Sequence, residues 1–322
     1  MRKTPQAALL LFPLIIACAA EERASFFAMD TLVELIALGG EDAIEEARRA
    51  VEEVERWADR YDPAAEVSRL NGRAGGGPVA VSPELAALLA LSLEVARASG
   101  GAFDPTVEPL LAAYDFGGEH QRVPGEEELR ELLARVDYRR VRLAGDSVEM
   151  PEGFAVDLGG VAKGYAADRA LEAMRRAGAR AGLVNIGGDI AVFGEKGGGP
   201  WTIGIQHPRA PGGLFAVLEL DGGAVATSGD YERFFIAEGV RYHHLLDPKT
   251  GRPARGLVSA TVTAPNCTLA DAYATAVFVL GPEEGPALLA ADDRLEGIFI
   301  YEDEGGLGYF MTEGLAGRLH VY

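Results

Sequence analysis

The chain has 322 residues, of which 48% are hydrophobic, enough for one large domain or two closely joined domains with a substantial core. It carries 30 lysine and arginine residues against 49 aspartate and glutamate residues, giving a formal net charge of −19. Nucleic acid is an unfavourable partner for such a chain, because lysine and arginine must neutralise its phosphates. A smaller anionic ligand would need local positive charge from a metal ion, a lysine or a helix N-terminus.

The N-terminus has the layout of an export signal. A basic start, Met1-Arg2-Lys3, precedes an apolar run over residues 7–17 that is shorter than the roughly 20 residues needed to span a bilayer. The run ends at Ile15-Ile16-Ala17-Cys18, which resembles a bacterial lipobox. The resemblance implies a lipoprotein signal peptide at 1–17 and a mature chain, 18–322, anchored through lipidated Cys18 on the extracytoplasmic, periplasmic side of the cell envelope. An ordinary secretory signal is the alternative.

Helical patterns come first along the rest of the chain. Apolar residues at three- and four-residue steps predict an amphipathic helix over 41–61, and Ser82 followed by Pro83 predicts a second helix that ends near Gly100. Beyond about residue 139, short β-branched or alternating runs predict strands at 201–206, 215–220, 258–263 and 297–301. Helices after Gly164 and over 268–280 interrupt them. This order predicts an α+β fold with mixed sheets and packed helices.

The segment 156–165 is suited to binding an anion. Asp157 is expected at a strand end, Gly159-Gly160 in a turn and Lys163 at a helix start. Glycines allow close approach to the backbone, helix-start amides point outward, and Lys163 adds a mobile positive charge. A tight turn with a surface lysine is the alternative.

The helix over 268–280 carries two oxygen-bearing side chains on one face. Asp271 and Thr275 are four residues apart, and carboxylate and hydroxyl oxygens are ligands that Mg²⁺ prefers. Alternatively, Asp271 closes a capping box with Thr268.

Two adjacent histidines precede a Pro/Gly turn. Neighbouring strand residues face opposite ways, so only one of His243 and His244 can point into a site. That histidine could act as a general base, whereas a hydrogen-bonded structural histidine is the alternative. The polar turns at 100–106 and 227–231 could line a pocket or simply bond to their own backbone.

In this order, these segments strongly resemble the ApbE family of FAD:protein FMN transferases from about Phe27 to the end of the chain. The matching blocks are 29–31, 101–106, 157–165, 227–231 with 244–251, and 271–275. The resemblance implies a single catalytic domain that uses Mg²⁺ and takes FAD as its substrate. It implies FAD-binding positions at Met29, Tyr61, Ala102, Phe103, Asp104, Asp157, Lys163, Ser228 and Leu245, and magnesium-binding positions at Gly160, Asp271 and Thr275.

The family chemistry is attack of an acceptor hydroxyl on the FMN phosphorus, with AMP as the leaving group. By resemblance, His244 is the candidate that activates a threonine or serine hydroxyl, and Lys163 assists electrostatically. The implied acceptor is a flavin-carrying subunit of a membrane redox complex or an exported flavoprotein.

Two positions depart from the family pattern. Asp30 stands where glycine is usual, which concerns the approach of the backbone to the flavin, and Ala274 stands where relatives sometimes carry an acid, which leaves one fewer carboxylate for metal. Three other functions remain open: a lipoprotein that only binds FAD, a pyrophosphatase that hydrolyses FAD to FMN and AMP, and, more weakly, an oxidoreductase.

Overall fold

The structure, a computed structural model, describes residues 21–322. The expected signal peptide at 1–17 and the expected lipid-attachment site at Cys18 lie outside the described residues. Within residues 21–322, no helix has both the length and the apolar character that crossing a membrane requires. The one cysteine in this range, Cys267, is buried and free.

The described chain alternates helices and short strands. The helices are α1 (Ala43–Ala58), α2 (Glu66–Asn71), α3 (Pro83–Ala98), α4 (Glu108–Tyr114), α5 (Glu126–Leu133), α6 (Ala162–Arg176) and α7 (Cys267–Leu289), with single 3₁₀ turns at Pro105–Val107, Tyr138–Arg140 and Glu313–Leu315. The strands are β1 (Glu21–Ala28), β2 (Thr31–Leu38), β3 (Val79–Ala80), β4 (Arg142–Ala144), β5 (Ser147–Glu149), β6 (Ala181–Ile186), β7 (Asp189–Phe193), β8 (Trp201–Gln206), β9 (Leu214–Leu220), β10 (Gly223–Gly229), β11 (Phe234–Ala237), β12 (Val240–His243), β13 (Leu246–Asp247), β14 (Arg252–Pro253), β15 (Ser259–Ala264), β16 (Glu296–Asp303), β17 (Gly306–Met311) and β18 (Leu319–Val321).

An eight-stranded sheet organises the domain, in the order β1-β2-β6-β7-β10-β15-β16-β17, and every neighbouring pair in it is antiparallel. Helices α1, α6 and α7 cover one face through a core that includes Val51, Met174 and Phe278. The three-stranded sheet β18-β9-β8 covers the other face. Both faces are therefore buried, and the predicted α+β fold is confirmed.

Most predicted elements are present with shifted ends. The predicted helix over 41–61 is α1, but it ends at Ala58, so Tyr61 lies in the following turn with 57% of its surface exposed. Helix α3 begins as predicted, with the Ser82 side chain accepting a hydrogen bond from the N–H of Leu85. The four predicted strands correspond to β8, β9, β15 and β16.

Helix α7 is longer than the predicted 268–280. The backbone leaves helical geometry at Gly281, where φ is 78°, and a second helical stretch then continues to Leu289. Because Pro282 cannot follow an ordinary helical residue without a clash, glycine at 281 accommodates the break. The candidate site residues Asp271 and Thr275 lie in the first stretch.

Candidate active site

The N-termini of α6 and α7 meet at the centre of the candidate site and cap each other. Asp271 of α7 accepts a hydrogen bond from the backbone N–H of Gly164 at 3.0 Å, and Asp168 of α6 accepts from the N–H groups of Cys267 and Thr268 at 2.8 Å each. A Cβ at position 164 would lie 2.3 Å from the carbonyl oxygen of Cys267. Glycine is therefore what lets the two helix starts approach this closely.

This geometry rules out the alternative in which Asp271 closes a capping box with Thr268. The N-cap of α7 is Asn266, whose side chain accepts from the N–H of Leu269 at 2.9 Å. The Thr268 hydroxyl donates instead to Asp168 at 2.5 Å. The Asp271 carboxylate is thus directed away from its own helix start and toward the start of α6.

Oxygen atoms converge beside Asp271. The hydroxyl oxygens of Thr275 and Ser228 are 3.3 Å apart, and a Cβ at Gly160 would lie 3.2 Å from Thr275 Oγ1. Within residues 21–322, no group of three or more His, Cys, Asp or Glu side chains is arranged to hold a metal ion. The donors that are present, one carboxylate with hydroxyl and backbone oxygens, fit a hard cation such as Mg²⁺, which commonly completes its shell with water and phosphate oxygens.

Burial changes the proton affinity of this carboxylate. Burial, reinforced by the nearby negative charge of Asp189, raises the pKa of Asp271 to about 7. A divalent cation at this position would favour the ionised form and offset that rise. Binding of a cation there at neutral pH would therefore be coupled to loss of a proton from Asp271.

Lys163 forms a buried ion pair with Asp189 of β7, so its expected role as a mobile positive charge is wrong. Burial opposes the charge of the ammonium group, but the adjacent carboxylates of Asp189 and Asp271 raise the pKa of Lys163 above its ordinary value. The amine is consequently protonated and held in place. Asp189 had not been predicted; it follows Gly187-Gly188 at the start of a strand, where the sequence gave no indication that it would contact Lys163.

Arg60 is a second site residue that the sequence did not indicate. Its guanidinium contacts Asp157 at 2.6 Å and Glu108 at 2.9 Å, and it lies 4.3 Å from the centre of the Tyr61 ring. The other Asp157 oxygen accepts from the N–H of Gly159 at 2.7 Å. Asp157 was expected at the end of a strand. It lies instead in a segment without regular secondary structure between β5 and α6. Arg60 therefore joins the turn after α1 to the glycine-containing loop before α6.

The Asp104 carboxylate accepts hydrogen bonds from its own loop and from the segment at Tyr138. It accepts hydrogen bonds from the N–H and hydroxyl of Thr106 at 2.8 and 2.6 Å and from the N–H of Tyr138 at 3.0 Å. Its side chain is buried, and burial raises the pKa of Asp104. These bonds hold the loop that presents Ala102 and Phe103 to the cleft.

The turn between β1 and β2 forms part of the rim. Met29 and Asp30 both have left-handed backbone conformations, with φ of 54° and 57°, as in the tight two-residue turns of β-hairpins. The N–H of Met29 donates to Glu55 at 2.7 Å, and Asp30 lies 3.8 Å from Arg233. Asp30 therefore occupies the turn conformation that glycine adopts without strain, and aspartate is among the residues that tolerate it.

The two histidines face opposite ways, as predicted. His243 is buried edge-on against Phe278, with its Nε2 3.1 Å from the carbonyl oxygen of Ala254. His244 lines the cleft, and its Nδ1 lies 3.2 Å from the carbonyl oxygen of Arg233. Because a carbonyl can only accept, Nδ1 carries the hydrogen in neutral His244, and Nε2 is left with a free electron pair. Burial, with the nearby charge of Arg233, lowers the pKa of His244 to about 3.

One cleft of about 360 Å³ lies at the centre of this arrangement. Every residue that the sequence suggested for the site lines this cleft: Met29, Tyr61, Ala102, Phe103, Asp104, Asp157, Gly160, Lys163, Ser228, His244, Leu245, Asp271 and Thr275. Glu55, Arg60, Glu232 and Arg233 line it as well. The sequence-derived candidates, which span almost 250 positions, therefore form one continuous site.

The fold is shared with solved structures of ApbE proteins. The ApbE protein of Thermotoga maritima superposes with a TM-score of 0.85 at 34% identity, covering 92% of this chain and 98% of that one. The flavinyl transferase ApbE of Pseudomonas stutzeri superposes with a TM-score of 0.84 at 28% identity, covering 95% and 98%. The architecture alone therefore places this chain in the class of ApbE-like proteins.

Sequence comparison gives the same answer. The profile of the ApbE family matches residues 29–299. A FAD:protein FMN transferase of Treponema pallidum is 40% identical over 266 residues, which are 77% of this chain and 73% of that protein, and one of Vibrio cholerae is 34% identical over 81% and 80%. The chain belongs to the ApbE family.

Proposed function

We propose that the protein transfers the FMN half of FAD to a threonine or serine hydroxyl of an acceptor protein, with Mg²⁺ as its cofactor and AMP as the product released. FMN transfer from FAD is the activity named for the curated relatives above, and the chain is an enzyme of that class. The observation that carries the proposal is the presence, in one cleft, of a histidine with a free ring nitrogen and of the Asp271, Thr275 and Gly160 oxygen cluster.

In the reaction, the acceptor oxygen forms a new bond to the FMN phosphorus while the bond from that phosphorus to the AMP oxygen breaks. His244 has the tautomer required of the group that receives the hydroxyl proton, because Arg233 holds the hydrogen on Nδ1 and leaves Nε2 unprotonated. Its low pKa keeps Nε2 unprotonated over the physiological pH range, but also makes the ring a weak base toward the hydroxyl.

Asp271, Thr275 and the backbone at Gly160 would hold Mg²⁺, which would supply charge neutralisation at the phosphoryl oxygens and at the departing AMP. Lys163, fixed by Asp189, adds a protonated amine close to Asp271. The Lys163–Asp189 pair is neutral overall, so the cation is the main compensation for the FAD diphosphate in a chain with a net charge of −19. Because these groups are in place beforehand, they can stabilise transition-state charge without rearranging.

The remaining cleft residues are suited to binding the rings and linkers of FAD. The Tyr61 ring is exposed and backed by the Arg60 guanidinium, which is itself anchored to Asp157. A flat aromatic surface held in this way suits stacking against a planar ligand. Met29, Phe103 and Leu245 add apolar surface.

The location and the acceptor are proposed together. Lipidation of Cys18 would hold the enzyme to a membrane outside the cytoplasm, and the acceptor would be a flavin-carrying subunit of a membrane redox complex or an exported flavoprotein in the same compartment. Mass spectrometry of the N-terminal peptide purified from membranes tests the anchor, and an unmodified Cys18 would rule it out.

The reaction is tested by incubating the purified protein with FAD, Mg²⁺ and a flavin-free acceptor subunit of a membrane redox complex. Transfer adds the mass of one FMN to the acceptor, and chelation of divalent metal should prevent it. Release of free FMN and AMP without an acceptor would support a pyrophosphatase. Tight FAD binding with neither product would support a binding protein and overturn the proposal.

A further inference from the structure

The hairpin formed by β11 and β12 lies at the edge of the cleft and forms a sheet of its own. Its strands are joined by a two-residue turn at Glu238 and Gly239, where φ is 52° and 77°, so the turn is tight. One face is fixed to the domain by aromatic packing: Phe235 stacks on Tyr242 at 5.5 Å, and Phe235 lies 5.6 Å from Phe116. The hairpin is therefore anchored to the domain through this face.

The opposite face of the hairpin carries two exposed apolar side chains, both on β11, whereas His243 of β12 on the same face is buried. Phe234 and Ile236 expose 37% and 64% of their surfaces, and the Arg241 guanidinium lies over the Phe234 ring at 4.2 Å. Exposed β-branched and aromatic residues on a short isolated hairpin are unusual for a surface that contacts only water.

The backbone of β11 is open as well. Hydrogen-bonded and non-hydrogen-bonded residue pairs alternate along the hairpin. Ala237 and Val240, which flank the two-residue turn, form a hydrogen-bonded pair, and so do Arg233 and His244, whose N–H donates to the Arg233 carbonyl at 3.0 Å. In that alternation, the N–H and C=O groups of Phe234 and Ile236 point away from β12. Within residues 21–322, neither makes a backbone hydrogen bond outside the hairpin. Such groups can pair with another extended chain.

The base of the hairpin is part of the active site. Arg233 immediately precedes β11, His244 immediately follows β12, and both line the cleft. A chain extended along β11 past Phe234 would therefore reach Arg233, which is hydrogen-bonded to His244 across the base of the hairpin and lines the cleft with it.

Charge also favours contact at this point. The segment 231–244 has two acids, Glu232 and Glu238, balanced by Arg233 and Arg241, whereas the whole chain has a net charge of −19. An acceptor approaching here does not meet the repulsion that much of the acidic surface would exert on another acidic protein.

We propose that an extended segment of the acceptor protein adds to β11 as a third strand, pairing with the backbone of Phe234 and Ile236 and packing on their exposed side chains. This alignment carries the acceptor hydroxyl past Arg233 to the cleft. The inference rests on the proposed transferase function and identifies its protein partner as a strand-forming segment.

Proline at position 236 tests the backbone pairing. Ile236→Pro removes an N–H that points away from β12, so the internal ladder of the hairpin is retained, whereas Ile236→Ala keeps this N–H and removes only the apolar side chain. With the flavin-free acceptor subunit as probe, we expect KM for the acceptor to rise about tenfold or more in Ile236→Pro and less in Ile236→Ala. The affinity for FAD, read from flavin fluorescence, should not change in either variant. Leu214→Ala, which alters an exposed apolar residue of β9, is the control for surface hydrophobicity.

Hydrogen–deuterium exchange of the wild-type enzyme provides a measurement that does not depend on variants. Adding the acceptor in the presence of FAD and Mg²⁺ should slow exchange at the amides of Phe234 and Ile236. Protection confined to β1 or β17, or an unchanged acceptor KM in Ile236→Pro, would overturn the inference. Absence of any FMN transfer by the wild-type enzyme would instead contradict the proposed function.

Discussion

The carboxylate of Asp271 and the backbone N–H of Gly164 are joined by a 3.0 Å hydrogen bond that connects two helices whose starts are more than 100 residues apart in the chain. Asp168 makes the reciprocal contact from α6 to the start of α7. Each helix therefore supplies the cap of the other, and the same carboxylate that completes a cap also faces the cleft. The structural cap and the proposed metal ligand are therefore the same residue, and substitutions at Asp271 can separate the two roles.

Asp271→Asn and Asp271→Ala should affect stability and activity differently. Asparagine retains an oxygen that can accept from Gly164 but carries no charge, whereas alanine removes both. We expect both variants to lose Mg²⁺-dependent transfer, and only the alanine variant to lose about 1 kcal/mol of unfolding free energy with the cap. Transfer is measured by acceptor mass and stability by urea unfolding. Metal-dependent transfer by the asparagine variant at the wild-type rate would remove Asp271 from the metal site.

His244→Ala should slow FMN transfer by roughly 10²- to 10⁴-fold, the contribution typical of a positioned general base. FAD affinity should change much less, because the residue is proposed to act on the acceptor hydroxyl. Single-turnover transfer and fluorescence titration with FAD measure the two effects separately. A variant that transfers FMN at the normal rate would exclude His244 from the mechanism.

Gly164→Ala should destabilise the domain by roughly 1–3 kcal/mol, because the added Cβ would overlap the carbonyl of Cys267 and the Asp271 side chain. Gly222→Ala is the matched control, since its Cβ would meet nothing within 4 Å and its φ is not in the left-handed region. Both are compared by urea unfolding. Equal stability of the two variants would show that the helix starts are not tightly packed.

Acid should destabilise the protein through His243 before most carboxylates titrate. Burial lowers the pKa of His243 from 6.5 to about 4, and its Nδ1 has no hydrogen-bond partner among the described residues. Below pH 6.5 the unfolded chain therefore takes up a proton that the folded chain does not. Stability should be complete above pH 6.5 and fall as pH drops toward 4, by about 3 kcal/mol for this residue.

His243→Gln tests this assignment, because glutamine does not titrate and can still donate to Ala254. His244 contributes in the same direction, so the variant should reduce the slope of unfolding free energy against pH between 6.5 and 4 without abolishing it. An unchanged slope would assign the effect to other groups.

Local pattern was sufficient for much of the fold. The three- and four-residue spacing before Ala58 predicts α1, Ser82-Pro83 predicts the start of α3, and alternation predicts β8 at its observed bounds. The opposite orientations of His243 and His244 also follow from strand geometry. These features depend on neighbours within a few residues, so the sequence alone contains their cause.

Long-range contacts were beyond such reasoning. Three features depend on how the sheet and helices pack. They are the pairing of Lys163 with Asp189, the contact of Arg60 with Asp157 and the absence of a strand before Asp157. The candidate residues were recognised as one site by family resemblance, and the structure brings them to one cleft. The sequence around Asp271 would be the same whether its carboxylate capped its own helix or another one, so local pattern could not distinguish the two arrangements.

The sequence by itself therefore determined several of the helices and strands, the acidic charge balance and the residue types available for phosphate and metal chemistry, because these follow from composition and local periodicity. Only the tertiary structure decided which of the charged groups are available. It pairs Lys163 with a buried acid, directs Asp271 to the cap of a different helix, and places His244 at the base of an open hairpin. Those outcomes depend on burial and on distances between segments far apart in the chain, which local pattern does not encode.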